Sequence, residues 1–258
     1  MFQKKYLNKF MTKIALCLSG YFDSFTDKTS KGIDGFKYIH KKILSVNEKV
    51  DVYVHSWDIE RENEIKNLYK PKNFIFENQI DFSKKELSNY IDVHHDRVID
   101  ANRLLSQSYT VSKSIELACE SEIDYDIIIK SRFDLGRINR SSAGKPFLTF
   151  NPFSINRNFW RNKYPVQCIN FDKGLDMNYY YFAKWNLNDQ GPADMWWYSS
   201  KNNMRLFSEF YSFSNKMLEL NSNFTSIFKK PNYIFLLKYF MKNKKIWEKC
   251  KFLQTKWE

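Results

Sequence analysis

The sequence predicts an α/β fold, a mostly parallel central sheet flanked by helices, with a helical C-terminal extension. Three observations carry this. Strand-like and helix-like patterns alternate through the first half of the chain, and such alternation builds right-handed βαβ units. The most apolar runs are short, and polar residues close them. With 258 residues, 43% of them hydrophobic, the chain is long enough for one large core and too apolar for disorder.

The elements follow in order. Residues 1–11 form a basic tail, and the apolar run after them is too short for a signal-peptide core. Lys13–Leu18 reads as a buried strand ending in Ser19-Gly20. Apolar residues at Ile33, Phe36, Ile39, Ile43 and Leu44 have helical spacing across Ser30–Leu44. Val50–Trp57 is β-branched and aromatic, hence a second strand. Asp58–Tyr69 reads as a helix with Asp58 as its N-cap. Asn73–Glu77 is a third strand, and Ile80–Asp100 is polar and irregular. Ala101–Glu120 is a long helix with Leu104, Ser108, Val111, Ile115 and Ala118 on one face. Asp126–Lys130 is the clearest strand. Beyond Leu135 lie a basic loop (Arg137–Lys145) and an aromatic stretch, Phe147–Tyr181, with strand-like pieces such as Val166–Phe171. Helix-like patterns return at Asp194–Phe213 and Asn232–Trp257. These readings give a domain over 12–215 and an extension over 216–258.

Composition and missing motifs narrow the function. Lys plus Arg is 41 against 29 Asp plus Glu, a net charge of +12, which favours anionic partners. The basic residues are spread along the chain, so a nucleic-acid partner is not expected. Cys17, Cys119, Cys168 and Cys250 stand alone. That excludes a zinc knuckle or disulfide framework and suits a reducing, cytoplasmic setting. No stretch is long and apolar enough to span a membrane. The sequence has no GxxxxGK[ST], GxGxxG, GxSxG or HExxH, which removes the commonest nucleotide-hydrolase, dehydrogenase and esterase readings.

Chemistry-bearing residues cluster at the carboxyl ends of the expected strands, where open α/β sheets bind ligands. These are Ser19, Gly20 and Tyr21; His55, Ser56, Trp57 and Asp58; and Lys130, Ser131, Arg132, Phe133 and Asp134. Cations, an aromatic ring and a carboxylate suit a nucleoside diphosphate. Each residue also has a plainer reading. Asp134 caps a turn or meets a metal or sugar nucleotide, and Arg132 contacts pyrophosphate or solvent. His55 and Trp57 serve ligand or core. Gln107 lies on a helix that can face the nucleotide. Asp194 is a candidate general base for an acceptor hydroxyl or a helix N-cap. Trp185, Trp196 and Trp197 stack on sugar or pack in the core. Asp124-Tyr125-Asp126 precedes its strand and reads as structural, and His94-His95-Asp96 as a solvated loop.

Four segments resemble one family. Val50–Asp58 (VDVYVHSWD), Ser106–Ala118 (SQSYTVSKSIELA), Tyr125–Leu135 (YDIIIKSRFDL) and Asp194–Ser200 (DMWWYSS) resemble, in order, segments of GT-A glycosyltransferases of bacterial and viral polysaccharide biosynthesis. The likeness spans roughly residues 13–210 and implies a Rossmann-like GT-A domain with a nucleotide-diphosphate sugar as donor. The acceptor it implies is a hydroxyl of a glycan or a lipid-linked glycan. It also implies a divalent cation, Mn or Mg, on Asp134, and Ser19, Gly20, His55, Gln107, Lys130, Arg132 and Asp134 around the sugar nucleotide. The family's Asp-x-Asp is here Arg132-Phe133-Asp134, so one carboxylate remains for the metal. The first loop reads Ser19–Asp23 without the Arg common in relatives, a place that Lys28, Lys31 or Lys130 would have to fill. A nucleotidyltransferase and a non-enzymatic basic protein are the rival classes. Lysines interleaved with Trp and Phe over Lys229–Trp257 suit either peripheral membrane contact or a helical pair packed on the domain.

Overall fold

The computed structural model describes residues 12–22, 31–82, 90–92, 97–99, 101–135, 175–184, 191–218 and 233–253. Strands β1 (Ile14–Ser19), β2 (Val50–Ser56) and β3 (Asn73–Phe76) are parallel neighbours. On the other side of β1 lies β6 (Ile127–Arg132), also parallel. A separate two-stranded hairpin, β4 (Tyr90–Asp92) and β5 (Arg97–Ile99), lies within the stretch expected to be irregular. Three more strands extend the main sheet: β7 (Tyr180–Ala183), β8 (Trp196–Ser199) and β9 (Cys250–Leu253). The order is β3-β2-β1-β6-β8-β7-β9, with β8 antiparallel to both neighbours and β9 parallel to β7. The expected mostly parallel α/β sheet is therefore present.

Helices cover both faces. Helix α1 (Lys31–Ile39) continues into a π-helical turn at His40–Leu44, and α2 is Glu62–Tyr69. Helix α3 (Ala101–Cys119) buries Leu104, Ser108, Val111, Ile115 and Ala118, the face expected from spacing. Buried hydroxyls on α3 do not stay orphaned: Ser108 and Ser114 donate to carbonyls one turn back, at 3.0 Å each. The remaining helices are α4 (Lys201–Arg205), α5 (Phe210–Leu218) and α6 (Tyr233–Asn243).

The strand period of two divides the core between these layers. Ala15, Cys17, Tyr53, Ile128, Phe182 and Trp197 face α3 and the C-terminal helices. Ile14, Leu16, Leu18, Val52, Val54, Ile129 and Trp196 face the other way, toward Ile39 and Ile65. Strands buried on both faces read as continuous apolar runs, which is why β1 and β6 stand out in the sequence.

Four expectations need correction. Asp58 precedes a single 3₁₀ turn, Ile59–Arg61, and makes no side-chain capping bond. Asp194–Phe213 opens with strand β8, and its helix begins at Lys201, where Ser200 accepts the Asn203 amide as N-cap. Within Asn232–Trp257, the α-helix runs from Tyr233 to Asn243, a 3₁₀ turn follows at Trp247–Lys249, and Cys250–Leu253 is strand β9. The boundary expected between residues 215 and 216 falls inside α5, and Tyr233, Leu236, Leu237, Phe240, Met241 and Ile246 share the core of the first half. The apolar C-terminal side chains thus pack on the domain, the plainer of the two readings. Among the described residues, no helix is long and apolar enough to cross a membrane.

At the sheet's two outer strands, lysines lie over aromatic rings. Lys66 Nζ sits 3.8 Å from the centroid of Phe74 on β3, and Lys251 of β9 sits 3.5 Å from that of Tyr179.

Candidate functional site

Parallel register sets the first row of the site. Ser19 pairs with His55 on one side and with Arg132 on the other. Register partners in a sheet point to the same face. Here that is the α3 face, since Ala15, Cys17, Tyr53 and Ile128 lie there at even spacing. The three sequence-predicted strand ends therefore form one row at the carboxyl edge. Gly20 turns the chain off β1 with φ near 100°, a conformation that favours glycine. The Gly20 amide donates to the His55 carbonyl at 3.2 Å, and Ser56 Oγ donates to the Gly20 carbonyl at 2.8 Å.

The second part of the site is an ion-paired knot around Arg132. Nε and Nη2 donate to Oδ1 and Oδ2 of Asp134 at 2.8 and 2.9 Å, a bidentate pair. Nη1 donates to Oδ2 of Asp194 at 2.9 Å, and Gln107 Nε2 donates to the same oxygen at 2.6 Å. Burial alone would lower the Arg132 pKa, but Asp134 and Asp194 outweigh it and hold the guanidinium charged. Burial pushes the Asp194 pKa up, but Arg132 and Lys130 pull it below the ordinary carboxylate value. Asp194 is therefore ionised. It precedes a strand, so its N-cap reading does not apply.

Lys130 lies beneath this knot. It is fully buried, faces Trp197 across β6 and β8, and holds its ammonium 4.4 Å from that ring's centroid. Nζ donates to the Asp194 backbone carbonyl at 2.5 Å. Burial brings its pKa down to about 7, against the pull of Asp194. A lysine depressed in the fold binds fewer protons than in the unfolded chain between about pH 7 and its unfolded value, so stability rises with pH there. The unfolding free energy of the wild type relative to Lys130→Met is expected to grow in the wild type's favour from pH 7 to 10. Urea melts across that range check it, and a flat difference would refute a depressed Lys130.

His55 is fully enclosed. Its ring meets Trp57 and Tyr109 edge-on, and Trp57 stacks on Tyr109. Nε2 bonds Glu77 at 2.9 Å. Burial lowers the His55 pKa, and Glu77 opposes the fall. His55 and Trp57 therefore support the rim from below. Tyr21 reaches out from the first loop to Gln79 at 2.7 Å, and Gln79 in turn donates to Ser106 of α3 at 2.8 Å.

Two positioning features went unread in the sequence. Gly35 of α1 lies so close to β6 that a Cβ there would overlap the Phe133 carbonyl oxygen. That contact seats the turn from Arg132 to Leu135, which presents Asp134. Gly191 lies against Ile234 with no room for a Cβ, so α6 backs the segment that carries Asp194. The sequence signal for both was only a lone glycine.

The other candidate residues fall as follows. Trp196 and Trp197 are core residues, the plainer of their two readings. Asp126 accepts the Lys13 amide at 2.7 Å, and Asp124 is exposed at the far end of β6. Trp185, Lys28, Cys168, His94-His95-Asp96, Arg137–Lys145 and Val166–Phe171 lie outside the described residues, as does the side chain of Lys31. A divalent cation wants several hard oxygen ligands. Both oxygens of Asp134 meet Arg132, and Oδ2 of Asp194 already accepts two donors. No group of three potential ligands for a metal occurs among the described residues. The donor set around Asp134 does not fit a divalent cation. No protein-family model matches the chain, and no curated protein matches it.

Proposed function

We propose that the protein is a glycosyltransferase that moves a sugar from a nucleotide-diphosphate donor to a hydroxyl of a glycan or glycolipid acceptor. The observation that carries this reading is the single row of Ser19, His55 and Arg132 at the carboxyl edge, joined there by Gln107, Asp134 and Asp194. The carboxyl edge of a parallel sheet is where α/β folds hold nucleotides.

In this reading Arg132 faces the diphosphate, where charge builds as the glycosidic bond breaks. Ser19 and Gly20 line the first loop beside it. Asp194 Oδ2 is committed to Arg132 and Gln107. Oδ1 accepts no donor among the described residues and is the atom that takes the proton from the acceptor hydroxyl. Gln107 and Arg132 fix the carboxylate's angle.

A panel of UDP-, GDP-, CMP- and dTDP-sugars tests the reading. One of them should raise the melting temperature, since ligand at 100 times its dissociation constant adds about 2.7 kcal/mol. The same sugar nucleotide should be slowly hydrolysed. Asp194→Asn should lower that turnover about 10²- to 10⁴-fold, the range for a lost general base, while exposed Asp124→Asn should not. If no sugar nucleotide shifts melting, or if Asp194→Asn turns over normally, the reading fails.

A further inference from the structure

We propose that the guanidinium of Arg132 stands where a divalent cation would stand, so that this site binds a nucleoside diphosphate without metal. The proposal rests on the glycosyl-transfer reading above and specifies how its donor is held.

The geometry is that of a cation site with the cation built into the chain. Two carboxylates, Asp134 and Asp194, converge from segments 60 residues apart in sequence. Arg132 lies between them and bonds both. Its positive charge already stands against both carboxylates, where a metal's charge would stand. A metal ion at Asp134 would have to displace the guanidinium and then sit beside it.

The guanidinium also has bonds to spare. Its five N–H groups form a fixed fork. Three go to carboxylates: Nε–H, one on Nη1 and one on Nη2. The second N–H on each of Nη1 and Nη2 has no partner among the described residues, and the side chain is 34% exposed. One N–H on each of Nη1 and Nη2 is left to meet phosphate oxygens. Because the carboxylates hold the fork in place, little reorganisation is needed when charge develops on a leaving diphosphate.

Calorimetric titration of UDP, GDP, CDP and dTDP decides the matter. Each is added to metal-stripped protein in EDTA, and again in buffer with Mn²⁺. The nucleotide that binds should do so in EDTA with an affinity within about 3-fold of that in Mn²⁺. Arg132→Lys keeps the charge and loses the fork, so it should weaken binding at least 10-fold in EDTA. If that variant fails to fold, the wild-type comparison stands alone. Binding that EDTA abolishes, or that Mn²⁺ strengthens 10-fold or more, overturns the proposal and leaves glycosyl transfer intact. Equal binding by folded Arg132→Lys also overturns it. If no nucleoside diphosphate or sugar nucleotide binds in either buffer, both readings fall.

Discussion

A chain ended after Asn223 is expected not to fold. The lost residues supply α6 and β9, an outer strand of the main sheet that pairs with β7 from Tyr180 to Ala183. They also supply Tyr233, Leu236, Leu237, Phe240, Met241 and Ile246 to the core. Burial of each such side chain contributes about 1.5–3 kcal/mol. The sum is comparable with the whole stability of a domain, roughly 5–15 kcal/mol. Their loss would also bare Phe207, Phe210 and Phe213, whose rings contact Phe240. Far-UV circular dichroism and urea titration of the shortened chain should show no cooperative transition. A melting temperature within about 5 °C of the full chain would show that the C-terminal elements are an accessory.

Gly35→Ala is expected to cost about 3 kcal/mol or more, at the upper end of overpacking. The added methyl meets the Phe133 backbone carbonyl, which cannot rotate aside as a side chain can. Either α1 lifts from the sheet or the turn carrying Asp134 moves. Both outcomes disturb the bidentate contact with Arg132, so nucleotide affinity should fall along with stability. Lys37→Ala, on the exposed side of the same helix, should change neither by more than about 0.5 kcal/mol. Urea melts with a nucleotide titration measure both effects. Wild-type stability in Gly35→Ala would mean that α1 does not bear on the turn.

Much of the fold is legible in the sequence where one pattern dominates. β1, β2 and β6 are apolar runs closed by polar residues, and α3 has an unbroken helical stripe. β8 is not legible because Trp196–Ser199 is buried on both faces and runs straight into α4, so its spacing passes for a longer helix. β9 is hidden by Lys251 and by the helix before it; only its pairing with β7, about seventy residues earlier, makes it a strand. The site divides in the same way. Ser19, His55 and Arg132 can be read as strand ends, and parallel register alone brings them together. The contact of Arg132 with Asp194 depends on β8 lying beside β6, which no local spacing records. Glu77, the partner of His55, gave no signal for the same reason: its role appears only once β3 lies beside β2.

The lysines that lie over aromatic rings at the two outer strands bear on how copies of the chain meet. An outer strand offers unpaired backbone groups to any strand that approaches, the usual route to edge-to-edge stacking. β3 and β9 are each only four residues long, and Phe74 would be the apolar foothold on β3. With the Lys66 ammonium held over that ring and paired with Glu62, a second copy would have to strip water from that ion pair before any backbone pairing began. Lys66 and Lys251 thus stand guard at the two edges of the sheet.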